Sequence, residues 1–312
     1  MNQMMALRAH LRGGPEGLLY EAAPRPTLEP GDVLVEVAAA GITFAELEWD
    51  ETWTRQGRDR TPIIPSHEVA GVVVETGEDA ADLAVGAPVF GLVPFDRDGA
   101  AAEFVAVPTR FLVPRPPEMS DVTAAAAPLT ALTAWQALTV HSHCTAGTTV
   151  LVQGAAGSVG GMVTQMASAL GAHVTATARG EDLSYVKKLG AETVIDYQTE
   201  AFDDHSERYD IVIDTVGGRT LDRSYAVVRP GGHLVTLQAP PSQQEADRLG
   251  ITATFFVVKP DRKQLIDVAA LIVAGALDIT IAETYPLAEG RRAYLSGRRL
   301  GRPSGKTVLL VK

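Results

Sequence analysis

Short β-branched runs, broken by Gly, Pro and Asp, fill the first third of the chain. Val33-Leu34-Val35-Glu36-Val37, Val69 to Glu75, Val89-Phe90-Gly91-Leu92-Val93 and Glu103-Phe104-Val105-Ala106-Val107 each read as a strand. Turn signals recur about every ten residues, which predicts a small β-barrel or sandwich. After Pro114-Arg115-Pro116-Pro117 the texture changes. Thr123 to Leu138 is alanine-rich and predicts a helix, and from Thr149 onward strand-like and helix-like runs alternate. Strands are expected at 149–153, 174–178, 194–196, 211–216, 234–238 and 252–258, with helices at 158–170 and 182–189. Alternation of this kind means βαβ units and a parallel sheet covered on both faces. Six strands suffice for two mononucleotide-binding halves, a doubly wound, Rossmann-type α/β sheet. The tail, Asp261 to Lys312, mixes helix and strand and closes on Lys306-Thr307-Val308-Leu309-Leu310-Val311.

Composition narrows the class. The 312 residues are 46% hydrophobic and 21% charged, a globular balance, and length predicts about two domains. A formal charge of −11 gains nothing from phosphate backbones or anionic lipid, so neither nucleic acid nor membrane is expected as a partner. Cys144 is the single cysteine, which forbids an intrachain disulfide and an all-cysteine zinc site. Met1 to Tyr20 carries Arg8, His10, Arg12 and Glu16 without an apolar run, so no signal peptide is expected. The longest apolar stretches, Ile251 to Val258 and Val268 to Ala276, are far short of the ~20 residues that span a bilayer. These features predict a cytoplasmic protein.

The strongest chemical signal is Leu151-Val152-Gln153-Gly154-Ala155-Ala156-Gly157-Ser158-Val159-Gly160, a strand running through a glycine turn into a helix. Gly157 would let backbone approach a pyrophosphate, and Gly160 would let the helix pack on the strand. The helix N–H groups and macrodipole favour the phosphates. Ala155, Ala156, Ser158 and Val159 complete this expected cradle, with Gly154 displaced by one position from the usual motif. The next strand ends at Arg179, where NAD-specific sites place Asp or Glu. A guanidinium there suits a 2′-phosphate, which predicts NADPH. Glu181 and Asp182 stand as the ribose ligands if the strand runs two residues longer.

Several further motifs occur in a telling order. They are Gly31 to Thr43, Pro65-Ser66-His67-Glu68-Val69-Ala70-Gly71, Ala131-Leu132-Thr133-Ala134-Trp135, the glycine turn, Leu189-Gly190-Ala191-Glu192-Thr193-Val194-Ile195-Asp196-Tyr197 and Gly305-Lys306. Together they make the chain resemble the medium-chain dehydrogenase/reductase superfamily, in its zinc-independent quinone oxidoreductase (zeta-crystallin-like) branch. The resemblance implies a Rossmann dinucleotide-binding domain (residues 126–257) inserted in a β-rich, GroES-like catalytic domain (residues 1–125 and 258–312). It also implies that Thr133 approaches the nicotinamide amide, that Tyr197 lies by the adenosine phosphate, and that Thr215, Val216 and Gly217 line the adenine-ribose side. Gln238, at the carboxyl end of a strand, is a further expected contact, and Lys306 is expected to reach cofactor or substrate.

Zinc-dependent members carry Cys, His and Cys where this chain has Thr43, His67 and Leu129. One imidazole beside Thr and Leu cannot supply the three ligands a catalytic zinc needs, so His67 is expected to be a satisfied structural histidine. Without a metal to polarise a carbonyl, hydride transfer favours acceptors that delocalise charge into a distant oxygen, namely quinones and α,β-unsaturated carbonyls. Thr43 is the expected catalytic residue, its hydroxyl donating to a substrate oxygen or holding the ribose. Glu46 is expected to cap or ion-pair, and Trp49 and Trp53 to share one helical face. The apolar run at 251–258 predicts a sheet edge covered by a second copy, a homodimer. Rival readings are an enoyl thioester or polyketide reductase, a non-catalytic NADPH-binding structural or sensor protein, and a glycine-loop methyltransferase. Arg179 weakens the last, because a methyl donor of that class calls for an acidic ribose ligand there.

Overall fold

The computed structural model describes residues 3–80, 82–204 and 207–312. They fall into two compact units. The first comprises Met1–Leu129, Pro260–Val273 and Ile279–Lys312, and the second Thr130–Lys259 and Ala274–Asp278.

The first unit is built on the strand Asp32–Ile42, whose length lets it serve three partners. Glu68–Thr76 runs antiparallel along most of one edge. On the other edge, Phe104–Pro108 pairs with its first half and Lys306–Leu310 with its last residues. Pro88–Leu92, Leu112–Pro114 and Ile281–Pro286 complete a seven-stranded sheet. Burial of Val33, Val35, Val37, Val69, Val73, Val89 and Leu309 on this sheet supplies its core. An N-terminal hairpin of Gln3–Ala9 and Leu18–Pro24 was not expected from the sequence, where Arg8 and the loop arginines interrupt the apolar texture.

The register of the central strand matters for chemistry. Gly41 lies opposite Glu68, and Ile42 opposite Thr307. Residues far apart in sequence, Thr43, Glu68 and Lys306, are thereby delivered to one end of the sheet.

The second unit is a six-stranded, all-parallel sheet in the order Thr193–Asp196, His173–Ala178, Thr149–Gln153, Tyr209–Asp214, Val228–Thr236, Thr252–Phe255. This is the doubly wound order, and its strands are near-continuous apolar runs because both faces are covered. The expected helix over 123–138 is instead split into Asp121–Ala126 and Pro128–Trp135, then widens into a π-type turn over Gln136–His141. Pro128 explains the break, since it has no backbone N–H to carry the helical hydrogen-bond ladder across this point, although Ala127 before it keeps helical backbone. Three strands end earlier than expected, at Asp214, Thr236 and Phe255, so Thr215, Val216 and Gln238 lie in the loops that follow. Among the described residues no helix is long and apolar enough to cross a membrane.

Candidate active site and nucleotide cradle

In the second unit, expected cofactor residues gather at the carboxyl edge of the parallel sheet. Gly154 follows the strand Thr149–Gln153 with φ +76°, a conformation L side chains avoid, and a Cβ there would lie 2.8 Å from Thr215 Oγ1. That accounts for the displaced glycine of the motif. Gly157 caps the helix Ser158–Ala169 without any side-chain cap, so the helix begins on backbone alone. A Cβ on Gly160 would meet the Gly154 carbonyl oxygen at 2.3 Å, so only glycine lets the helix seat against the turn. Ala155 N–H donates to the Thr177 carbonyl at 3.0 Å, tying the turn to the neighbouring strand, while Ala156, Ser158 and Val159 stay partly open.

The adjoining loops are organised by a residue the sequence reading did not single out. Asp214 is fully buried, and its carboxylate accepts from the backbone N–H groups of Val216 and Gly217 at 3.1 Å and from Thr236 Oγ1 at 3.3 Å. Thr215 Oγ1 donates to the Gln153 carbonyl at 2.8 Å, and Gln238 Nε2 donates to the Thr215 carbonyl at 3.1 Å. A cleft of about 670 Å³ opens beside this edge, lined by Gln153, Gly154, Thr177, Tyr197, Val216 and Arg223 among others. The residues therefore fit a dinucleotide: a glycine turn with no side chains in the way, an uncapped helix start, and a roomy cleft beyond.

Arg179 directly follows the strand His173–Ala178 and ion-pairs with Glu181 at 2.9 Å and Asp182 at 3.3 Å. The two acids that rivalled it as ribose ligands are thus held by its own guanidinium. Tyr197, half exposed, sits one residue past Thr193–Asp196, its N–H donating to the Ala178 carbonyl. Thr133 is a buried residue of the helix Pro128–Trp135, away from the turn residues in sequence and element.

In the first unit, a buried polar cluster surrounds Thr43. Glu46 accepts from Thr43 N–H at 3.3 Å, Ser66 N–H at 2.9 Å and the Tyr294 hydroxyl at 2.5 Å. Ser66 adopts φ +72°, rare for a residue with a side chain, and its Oγ donates to the Gly41 carbonyl at 2.6 Å. Desolvation raises the Glu46 carboxyl to about 7 despite these donors, and pushes the Tyr294 hydroxyl well above its ordinary value. Glu46 is thus a buried acceptor hub in a 3₁₀ turn.

His67 corrects an expectation. It is buried, and neither ring nitrogen makes a full hydrogen bond, the Pro94 carbonyl being only a weak acceptor beside it, so the imidazole is poorly satisfied. Burial lowers it to about 3. Its Nε2 lies 3.8 Å from Glu46 Oε2, and because burial keeps the imidazole uncharged at neutral pH, the contact is not an ion pair. The tryptophans also differ from expectation: Trp49 is extended and packs edge-on against Phe95, while Trp53, buried in a one-turn helix, donates to the Leu47 carbonyl. They share no helical face.

Lys306 is the second correction. Rather than reaching outward, its ammonium is buried, bonded to Glu68 Oε2 and donating to Thr43 Oγ1 at 3.3 Å. Glu68 Oε1 in turn accepts from Leu129 N–H at 2.9 Å. Burial pushes the Glu68 carboxyl up while the neighbouring ammonium pulls it back.

These contacts test a zinc site at the same place. Thr43 offers a hydroxyl that already accepts from an ammonium, Leu129 offers no donor atom, and His67 is alone, so the residues do not fit the metal. Among the described residues no group of three His, Cys, Asp or Glu is placed to hold a metal ion.

A parallel sheet with a glycine turn at its carboxyl edge, carried on the same chain as a β unit assembled from both chain ends, defines an oxidoreductase of the dinucleotide-binding kind. Residues 29–117 match the alcohol dehydrogenase GroES-like domain, and residues 189–309 the zinc-binding dehydrogenase domain. The chain is 30% identical to a probable zinc-binding mitochondrial oxidoreductase of Arthroderma benhamiae, over 92% of this chain and 91% of the relative. It is 33% identical to a chloroplastic NADPH-dependent alkenal/one oxidoreductase of Arabidopsis thaliana, over 68% of this chain and 56% of that one. The solved quinone oxidoreductase of Coxiella burnetii superposes with a TM-score of 0.92 at 26% identity, covering 99% of this chain and 100% of that one. The chain belongs to the medium-chain dehydrogenase/reductase superfamily, in its quinone oxidoreductase branch, and is an enzyme.

Proposed function

We propose that this enzyme reduces a quinone or an α,β-unsaturated carbonyl with NADPH, without a catalytic metal. The observation that carries the cofactor choice is Arg179 at the strand end, with Glu181 and Asp182 bonded to it instead of turned to a ribose. A relative named for NADPH and alkenals or enones, and a structural neighbour named for quinones, support the same choice of chemistry.

When bound, the nicotinamide supplies hydride to an electrophilic carbon. The glycine turn and its helix hold the pyrophosphate, Arg179 the 2′-phosphate, and the Asp214-ordered loop of Thr215, Val216 and Gly217 the adenine-ribose side, with Tyr197 and Gln238 flanking it. Thr133 orients the nicotinamide amide. The Thr43 hydroxyl donates to the substrate oxygen on which negative charge develops. A proton from water completes the reduced product.

A homodimer formed through the edge strand Thr252–Phe255, and action in the cytoplasm, belong to the same reading. Phe255 and Val257 on or beside that edge are partly exposed, which supports a covered edge in solution. Steady-state oxidation of NADPH with 1,4-benzoquinone, an alkyl vinyl ketone and an enoyl thioester tests the substrate class. Turnover confined to the thioester overturns it.

A further inference from the structure

We propose that Lys306 is a positioning residue for the reaction: buried on Glu68, it fixes the Thr43 hydroxyl as an outward donor and strengthens it. The inference rests on the reading of Thr43 as the donor to the substrate oxygen.

A threonine hydroxyl can donate or accept, and in a turn it commonly donates to its own backbone. Here that freedom is removed. An ammonium carries three donors and no acceptor, so in the 3.3 Å contact Lys306 Nζ gives and Thr43 Oγ1 receives. The Thr43 hydrogen must then point to another acceptor, and Thr43 is only partly buried, so substrate oxygen has access to it. A second anchor, the 3.3 Å bond from Thr43 N–H to Glu46, fixes the backbone under the hydroxyl. A hydroxyl that accepts from a cation is also a better donor, because each bond polarises the next in a low-dielectric surrounding.

The lysine itself is held by design of the sheet. Its register sets Thr307 opposite Ile42, the pair next to the Lys306–Thr43 contact, and Glu68 opposite Gly41, one residue further along the same strand. A Cβ on Gly41 would meet the Ala125 carbonyl oxygen at 2.3 Å and Glu68 Oε2 at 2.9 Å, so the glycine leaves room both for the Ala125 backbone and for the carboxylate that receives the ammonium. Lys306 is 5% exposed and Glu68 1%, so the pair has little water to compete with it.

The test is a double-mutant cycle on kcat with NADPH and 1,4-benzoquinone. Thr43→Val is expected to lower kcat by about 100-fold, the loss typical of one oxyanion donor. Lys306→Met is expected to lower kcat about 10-fold with the acceptor KM within about twofold, and to cause no further loss when added to Thr43→Val. A merely structural lysine would lower kcat by the same factor in both backgrounds, which overturns the proposal while leaving Thr43 in its role. If Thr43→Val leaves kcat intact, the Thr43 reading fails and the proposal falls with it. A wild-type enzyme that transfers hydride from NADPH to neither the quinone nor the vinyl ketone overturns both. Should Lys306→Met fail to fold, the paired change Glu68→Leu with Lys306→Met removes the ion pair without stranding a charge, and the same cycle is run on it.

Discussion

Tyr294 donates its hydroxyl to Glu46 Oε1 at 2.5 Å across 248 residues of chain, and both side chains are buried. The bond links the C-terminal helix Gly290–Leu295 to the loop that carries Thr43, so the last part of the chain fixes the first. A carboxyl in that position is stabilised by donors and destabilised by desolvation, and the second effect wins.

Stability consequently depends on Glu46 ionisation. Its carboxyl rises from 4.5 to about 7 on folding, so between those values the folded state binds more protons than the unfolded one. Stability then falls as pH rises through that window, by about 3 kcal/mol for a shift of this size, and the cost is absent below it. Glu46→Gln, which cannot ionise, removes this dependence. Urea midpoints from pH 4 to 8 should show the wild type losing ground to Glu46→Gln as pH increases; a constant difference between the two proteins contradicts the assignment.

His67 contributes with the opposite sign. Its imidazole drops from 6.5 to about 3, so the unfolded chain binds the extra proton and stability is lost as pH falls through that range. Because neither ring nitrogen makes a full hydrogen bond, His67→Leu should leave the melting temperature at pH 7 equal or raised, and should flatten the acid limb. Added zinc should move the melting temperature of neither protein. A ligand that binds only the folded state must raise it, so a zinc-dependent rise lost in His67→Leu would show that His67 and its neighbours do hold the metal.

Arg179 governs the choice between NADPH and NADH. Its pairs with Glu181 and Asp182 are partly exposed and worth roughly 0–1 kcal/mol each, less than the roughly 1.5–3 kcal/mol of a charge-assisted bond to phosphate. Arg179→Ala should weaken NADPH binding about 10- to 100-fold by fluorescence titration. NADH binding should hold or improve, because the freed acids can take the ribose hydroxyls. Equal weakening of both cofactors would remove the argument for a 2′-phosphate site.

The parallel sheet was legible because it is written locally. Thr149–Gln153, His173–Ala178 and Thr193–Asp196 are apolar runs within a few residues of the sequence expectation, and the glycine turn lies where its strand and helix require. The Thr43 cluster was not legible beyond its near members. Tyr294 and Lys306 reach it from 248 and 263 positions away, and no periodicity links Gly305-Lys306 to Thr43 until the register of Asp32–Ile42 is known. His67 was misread for a related reason: whether a buried imidazole finds a partner is decided by tertiary neighbours, here Phe95 and a Glu46 already engaged by three other donors. Asp214 did leave a trace, an acid closing the apolar run Ile211-Val212-Ile213, which marks a carboxylate aimed at the loop beyond.

That carboxylate gives a prediction separable from Arg179. Asp214 is fully buried and satisfies two loop N–H groups and the Thr236 hydroxyl, so Asp214→Ala leaves three donors without an acceptor. Each stranded group costs about 1–3 kcal/mol, and the loop of Thr215, Val216 and Gly217 loses the anchor that shapes it. The variant should unfold at lower urea and bind NADPH and NADH about 10-fold more weakly, by a common factor, since the loop lines the adenine and ribose ring that both cofactors carry while Arg179 takes the 2′-phosphate. Arg179→Ala, by contrast, should separate the two cofactors while leaving the urea midpoint in place. If Asp214→Ala discriminates between the cofactors, the loop reads the 2′-phosphate itself, and the division of labour between these residues must be redrawn.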